Sequence, residues 1–301
     1  MNSDRFSTLV YWIKEREKIR ILKESGKPRP WTSDPILNEW RFCNVNRCDD
    51  TVTRWIFEHI ITKHKDSLAL WFNLVIARLV NWPDTLAAIG YYDQWAPKHF
   101  VECLNNRAEF GEKVWTGAYM IPAGPSGVGK ADYLANETLG FLWDNRMNEP
   151  SGGTCAAWFD FISQAPSMGD FLTNQVVTDM KYTPVLAGAA DWSTFVVAGP
   201  GTQRGLNRLL GRELKASWDQ ANAARSLAAL RNVIVAEAPE FSDVLRDINN
   251  LANCMCEFDK YERVRLGEGK PRARYVPASQ DAAHARLGGV GRFARTAVVV
   301  R

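Results

Sequence analysis

The sequence has no run of about 18 apolar residues, which excludes a membrane-spanning helix. Its first residues, MNSDRFSTLVYWIKEREK, lack the order of charged start, apolar centre and small-residue cleavage site that marks an export signal. Histidine is scarce: His59, His64, His99 and His284 stand in no metal-binding spacing. The six cysteines (Cys43, Cys48, Cys103, Cys155, Cys254 and Cys256) include only C-x4-C and C-x-C spacings, without histidine partners. That pattern does not make a structural zinc site, and they read as reduced thiols packing as small hydrophobes. No metal or cofactor is expected. A net charge of +3 excludes a histone-like polycation, so anion binding must come from local clusters. Alternating strands are nearly absent. VWTGAYMI at 114–121 is the best candidate, and NVIVAE at 232–237 reads either way.

What is present is helical. Residues 4–24 place Phe6, Leu9, Val10 and Ile13 on one face, and Lys14, Arg16, Lys18, Arg20 and Lys23 outward among Glu15 and Glu17. The outer face is either a solvated surface or a phosphate contact. GKPRPWTSDP breaks this helix, and SLALWFNLVIARLV, apolar almost all round, predicts a buried one. Further helices are expected at 97–110, 131–145, 153–164, 169–181, 191–198, 203–211, 215–237 and 242–262. The predicted class is mainly α. One helical domain would cover 1–277, and a basic Gly- and Arg-containing tail would cover 278–301. Twelve tryptophans supply either core or stacking surfaces for bases.

AGPSGVGK (123–130) nearly spells the phosphate-cradling loop of nucleotide-binding proteins. Ala131 stands where the metal-holding hydroxyl should be, Pro122 interrupts the approach, and the strands such a fold needs are missing. Lys130 and the loop amides could still meet a phosphate that is not part of a nucleotide. A second pattern, DWSTFVVAGPGTQRGLNRLLG (191–211), reads as helix, A-G-P-G-T turn, helix. Gly199 and Gly201 allow a tight turn, and amides near Thr202, with Arg204 and Arg208 on one face, suit a DNA phosphate. The bland reading is an ordinary αα-hairpin. In the preceding helix Asn174, Gln175 and Asp179 sit among apolar residues, either on a solvent face or at the mouth of a pocket. In NEWRFCNVNRCDDTVTRW, Asn44, Arg47, Asp50 and Arg54 surround a short turn that either pins a loop or holds a phosphate or carboxylate. NCMCEFDKYERVR places Glu257, Lys260 and Tyr261 on one face, and Asp259 and Arg263 on another.

Taken in order, PWTSDPIL, EWRFCNVNRCDD, WTGAY, GPGTQRGLNRLLG and CEFDKYER resemble a phage DNA thymine-hypermodification family. This is the alpha-glutamyl/putrescinyl-thymine pyrophosphorylase type of amino acid:DNA transferase. The same helical domain resembles that of 5-hydroxymethyluracil DNA kinases. The likeness spans roughly residues 10 to 277. It implies a helix-hairpin-helix, DNA-glycosylase-like helical bundle. It also implies a reaction on phosphorylated 5-hydroxymethyluracil in double-stranded DNA. The amine of a free amino acid, with glycine the expected one, would displace phosphate or pyrophosphate. Such a base leaves the stack for an aromatic pocket, for which Trp40, Phe42 and Tyr119 are the candidates. Arg47 and Arg54, with Lys130 or Lys260 in reserve, would support the leaving phosphate. Asp179 and Glu257, then Asp50, would serve as base, and Arg263 would hold the amino acid's carboxylate. Asn44, Asn174 and Gln175 complete the expected substrate contacts. Glycosylases place an Asp shortly after the hairpin, where Asp219 stands. Coupling to a 5-hydroxymethyluracil DNA kinase and a place in the host cell cytoplasm are further implications. The kinases' P-loop domain has no room in this length, which favours the transferase. The alternatives are a hydroxymethyluracil-directed glycosylase-like enzyme and a non-catalytic DNA-binding partner of a kinase.

Overall fold

Asp34 shows how the fold is tied together. Its Oδ1 caps a short helix by accepting from the amides of Ile36 (2.8 Å) and Leu37 (3.0 Å), while its Oδ2 accepts from Tyr11 (3.1 Å) and Tyr261 (2.8 Å). One buried carboxylate thus joins the first helix, the early loop and the last described helix. The computed structural model describes residues 3–118 and 120–276, and among them it is mainly helical with no strand. The elements are α1 (Ser3–Glu24), α2 (Pro35–Glu39), α3 (Thr51–Ile56), α4 (Leu70–Val80), α5 (Pro83–Ile89), α6 (Pro97–Glu109), α7 (Lys130–Tyr133), α8 (Gly140–Asp144), α9 (Cys155–Ile162), α10 (Asp170–Met180), α11 (Pro200–Leu210), α12 (Gln220–Glu237) and α13 (Ile248–Arg265). A π-helical turn, Leu134–Leu139, joins α7 to α8, and another, Phe57–Ile61, extends α3.

Two apolar clusters organise these helices. The first centres on α4, buried along its whole length as its composition predicts, with α10 packed against it. The second is built from α1 and α11–α13, so the first and last described helices share one core. Within it α11 and α13 pack along each other most extensively. The approach depends on glycine: a Cβ at Gly205 would collide with the Met255 carbonyl oxygen, and one at Gly201 with Cys256 Sγ. The last described segment, 271–276, lies across the second core. The Arg41 amide donates to Ala273 O (3.1 Å), and the Tyr275 amide to Glu39 O (2.9 Å).

Several expectations change. Residues 114–118 and 120–121 form irregular chain, not a strand, and NVIVAE lies inside α12. Residues 191–198 are turns and extended chain, so the hairpin lacks its first helix. Asp191 explains this: its carboxylate accepts from the amides of Cys155 (2.8 Å) and Ala156 (3.0 Å), capping α9 across a long loop. Gly199 has φ −67°, an ordinary N-cap conformation, and Gly201 serves helix packing instead of a tight turn. Tyr119 and the tail 278–301 lie outside the described residues.

Candidate functional site

Where the two cores meet, a pocket of about 250 Å³ opens between α1, the segment 29–53 and α4. Trp31, Trp40, Phe42 and Tyr275 give it aromatic walls. Five cationic side chains line it (Arg16, Lys23, Arg29, Arg41 and Arg78) against a single carboxylate, Asp50. Arg29 and Lys23 lie over the Tyr275 ring at 5.0 and 5.5 Å from its centroid, so they rest on an aromatic face and not on an acid.

Asp50 occupies the N-cap of α3, yet its side chain makes no cap hydrogen bond. An aspartate there ordinarily contributes about 1 kcal/mol by capping. Instead its Oδ1 turns to Asn44, accepting from the backbone amide (3.2 Å) and from Nδ2 (3.0 Å). Oδ2 takes no hydrogen bond among the described residues. Burial raises the Asp50 pKa, opposed by the Asn44 amide, Arg47 and Arg16. Asn44 Oδ1 accepts from Arg16 Nη2, while Arg16 Nε donates to Cys43 O (3.0 Å). Arg16 Nη1 is buried with no hydrogen-bond partner, and desolvation lowers the pKa of the guanidinium. A single asparagine therefore bridges an acid with a spare acceptor and a cation with a spare donor.

Behind this wall lies Asp179, fully buried. Its Oδ1 accepts from Arg47 Nη2 (2.9 Å) and Arg78 Nη2 (2.7 Å), and its Oδ2 from Arg78 Nε. Arg78 also donates to Thr53 Oγ1 (2.9 Å) and Asn81 Oδ1 (3.2 Å). Both oxygens are engaged, so Asp179 holds two guanidinium groups where a free base was expected, and it positions Arg78 on the pocket wall. Arg47 is buried and donates to Gln175 Oε1 (2.9 Å). Neither Arg47 nor Gln175 lines the pocket.

The remaining expected residues sit elsewhere. Glu257 is buried, ion-paired to Lys260 (2.6 Å) and accepting from the Cys43 amide (3.0 Å), so it fixes the chain beside Asn44. Lys260 also donates to Arg41 O (3.0 Å). Arg54 pairs with Glu24 (2.8 Å) at the far end of α1. Asn174 donates to Asn249 Oδ1 (3.1 Å) inside the core. Thr202 donates to Ala252 O (2.8 Å), stitching α11 to α13. Arg208 is buried and Arg204 partly exposed, and both are ion-paired within the fold. Asp259, which is 3% exposed, takes Arg208 (2.6 Å), Arg204 (3.1 Å) and Arg263 (3.4 Å), and Arg208 also reaches Glu268. Asp219 caps α12 by accepting from the Asn222 amide (3.0 Å). Lys130 opens α7 with its Nζ 4.4 Å from the Trp115 ring centroid, and burial lowers its pKa. No strand precedes it.

Of the expected site, Asn44, Asp50, Trp40 and Phe42 converge. Arg16 and Arg78 were not singled out as site residues. Arg16 reads as one more charge on a solvated face, and Arg78 as the lone cation of a buried helix. That loneliness was the available signal, since an unpaired buried arginine requires a partner.

The fold and pocket can be set beside known proteins. The chain belongs to the family described as the helical domain of 5-hmdU DNA kinases, which matches residues 3–271. It is 28% identical over 229 residues to the 5-hmdU DNA kinase of Bacillus phage SP10, covering 65% of this chain and 35% of that protein. The chain thus spans little more than a third of that relative's length. No solved structure matches it. Among the described residues no helix is long and apolar enough to cross a membrane.

Proposed function

We propose that this chain acts in phage thymine hypermodification. It would take a flipped, phosphorylated 5-hydroxymethyluracil of DNA into the pocket and transfer an amino acid onto its exocyclic carbon. The observation that carries this reading is the pocket itself: aromatic walls fit a flat base, and five cations against one carboxylate favour an anionic group. In the step, the amine nitrogen bonds to the exocyclic carbon and the carbon–oxygen bond to phosphate breaks. The phosphate leaves with the electron pair, and the amine's proton passes to the departing phosphate. Arg16 and the cations at the mouth stabilise the departing phosphate. Family membership and the kinase relative support the context of 5-hydroxymethyluracil in DNA.

The test uses the full chain, duplex DNA containing 5-phosphomethyluracil, and single amino acids with glycine first, followed by digestion to nucleosides and mass analysis. An amino acid adduct is expected, reduced at least about a hundredfold by Asp50→Ala. No adduct with any amino acid overturns the transfer. The match to a kinase's helical domain favours one second reading, a base-presenting module working beside a kinase. That reading predicts base-dependent DNA binding and no adduct.

A further inference from the structure

Arg16 Nη1 is a buried donor without a partner, and Asp50 Oδ2 an acceptor without one. Asn44 holds both groups in one plane of hydrogen bonds, through its Oδ1 to Arg16 and its Nδ2 to Asp50. That arrangement fixes the orientation of the asparagine amide as well. All three side chains line the aromatic-walled pocket. Among its lining side chains the pocket therefore holds a donor and an acceptor that have no partner within the described fold. Asp50 holds the N-cap position of α3 but turns its side chain to Asn44 instead of capping the helix, which α3 alone does not explain.

We infer that Arg16 and Asp50 read the imide edge of a uracil-type ring, Arg16 donating to a ring carbonyl and Asp50 accepting the N3–H. The inference rests on the proposed function and adds how the base is selected. A uracil ring offers acceptor, donor, acceptor along that edge, which complements the pair. A cytosine ring offers an unprotonated N3, whose lone pair would face the Asp50 carboxylate. The site thus discriminates by leaving a buried acceptor unpaired when the wrong ring enters, the mechanism by which hydrogen-bonding sites reject close analogues. An amino acid could also span a guanidinium and a carboxylate, but it would leave the four aromatic walls unused.

The experiment measures Kd by tryptophan fluorescence, since Trp31 and Trp40 border the pocket. Three duplexes are compared, carrying one 5-phosphomethyluracil, one N3-methyl-5-phosphomethyluracil or one 5-phosphomethylcytosine. The unaltered chain should favour the first by about tenfold to a hundredfold, the effect of one charge-assisted hydrogen bond lost and its acceptor left unpaired. Asp50→Asn, whose amide donates where the carboxylate only accepts, should erase or invert the preference over cytosine. Equal affinity for all three duplexes overturns the inference and leaves the DNA reading standing. Binding of none of them overturns the proposed function as well. Glycine quenching the same signal with no ring preference assigns the pair to the amino acid and also overturns it. If Asp50→Asn does not fold, the N3-methyl comparison on the unaltered chain decides alone.

Discussion

Two clusters of arginine in this molecule carry the same charge and opposite consequences. At the α11–α13 seam, Arg204, Arg208 and Arg263 converge on Asp259, and Glu268 closes the group. In the pocket, Arg16, Lys23, Arg29 and Arg41 converge with no ion pair to any described carboxylate. The first set is ion-paired within the fold. The second meets no such counter-charge, which suits the anionic ligand proposed for it. A count of basic residues separates neither, because what matters is whether the fold supplies the counter-charge.

The contrast can be broken at either side. The largest effect should come from Arg208→Ala, which strips Asp259 of its most buried partner. Stability should fall by about 3–5 kcal/mol in denaturant titration, while DNA affinity of the folded fraction holds. A variant that keeps its stability but loses DNA binding would return the hairpin to the interface. Gly205→Ala comes next. Alanine ordinarily favours a helix by about 1 kcal/mol, but here its Cβ meets the Met255 carbonyl. A net loss of about 1–3 kcal/mol is expected, with unchanged ring preference in the pocket.

Asp50 sharpens the other side. Its folded pKa is raised by burial, so the folded state binds the proton more tightly than the unfolded chain. Asp50's share of stability is therefore largest at low pH and is lost as pH rises through the folded pKa. Activity that needs the ionised form runs the opposite way, rising with pH at a midpoint above the ordinary carboxyl value of about 3.9. A pH profile of turnover, with Asp50→Asn as control, checks this; Arg16, Arg47 and Glu257 are the charged neighbours that set the midpoint. The smallest effect belongs to the mouth. Lys23→Ala or Arg41→Ala should weaken binding of all DNA sequences alike and reduce the salt slope by about one unit each. The same change at Lys14, paired to Glu240 on the surface, should not.

The helical class was legible because alternation is nearly absent and the long periodic segments dominate. Expected helices at 97–110 and 169–181 match α6 and α10 within a residue. Residues 191–198 misled because Asp191 is spent on capping α9, a partner far away in sequence. GPGTQRG looked like a turn built for DNA. Gly201 and Gly205 admit a neighbouring helix, a demand that local pattern does not record. For the site, the turn NVNRCDD was legible as a place where polar groups gather. Which carboxylate stays free was not, since Asp179, Glu257 and Asp50 differ only in what the rest of the fold brings to them.

The pocket draws one wall from Arg16 on α1 and another from Tyr275 at the end of the described chain. A ribosome releases the chain from its beginning, and a domain cannot close contacts with residues not yet made. The α4–α10 core can therefore assemble early, while the pocket is completed only once Tyr275 has emerged. A nascent chain can form the buried arginine cluster on Asp179 well before Tyr275 adds the last aromatic wall. Order of synthesis thus delays the finished pocket until almost all of the described chain has been made.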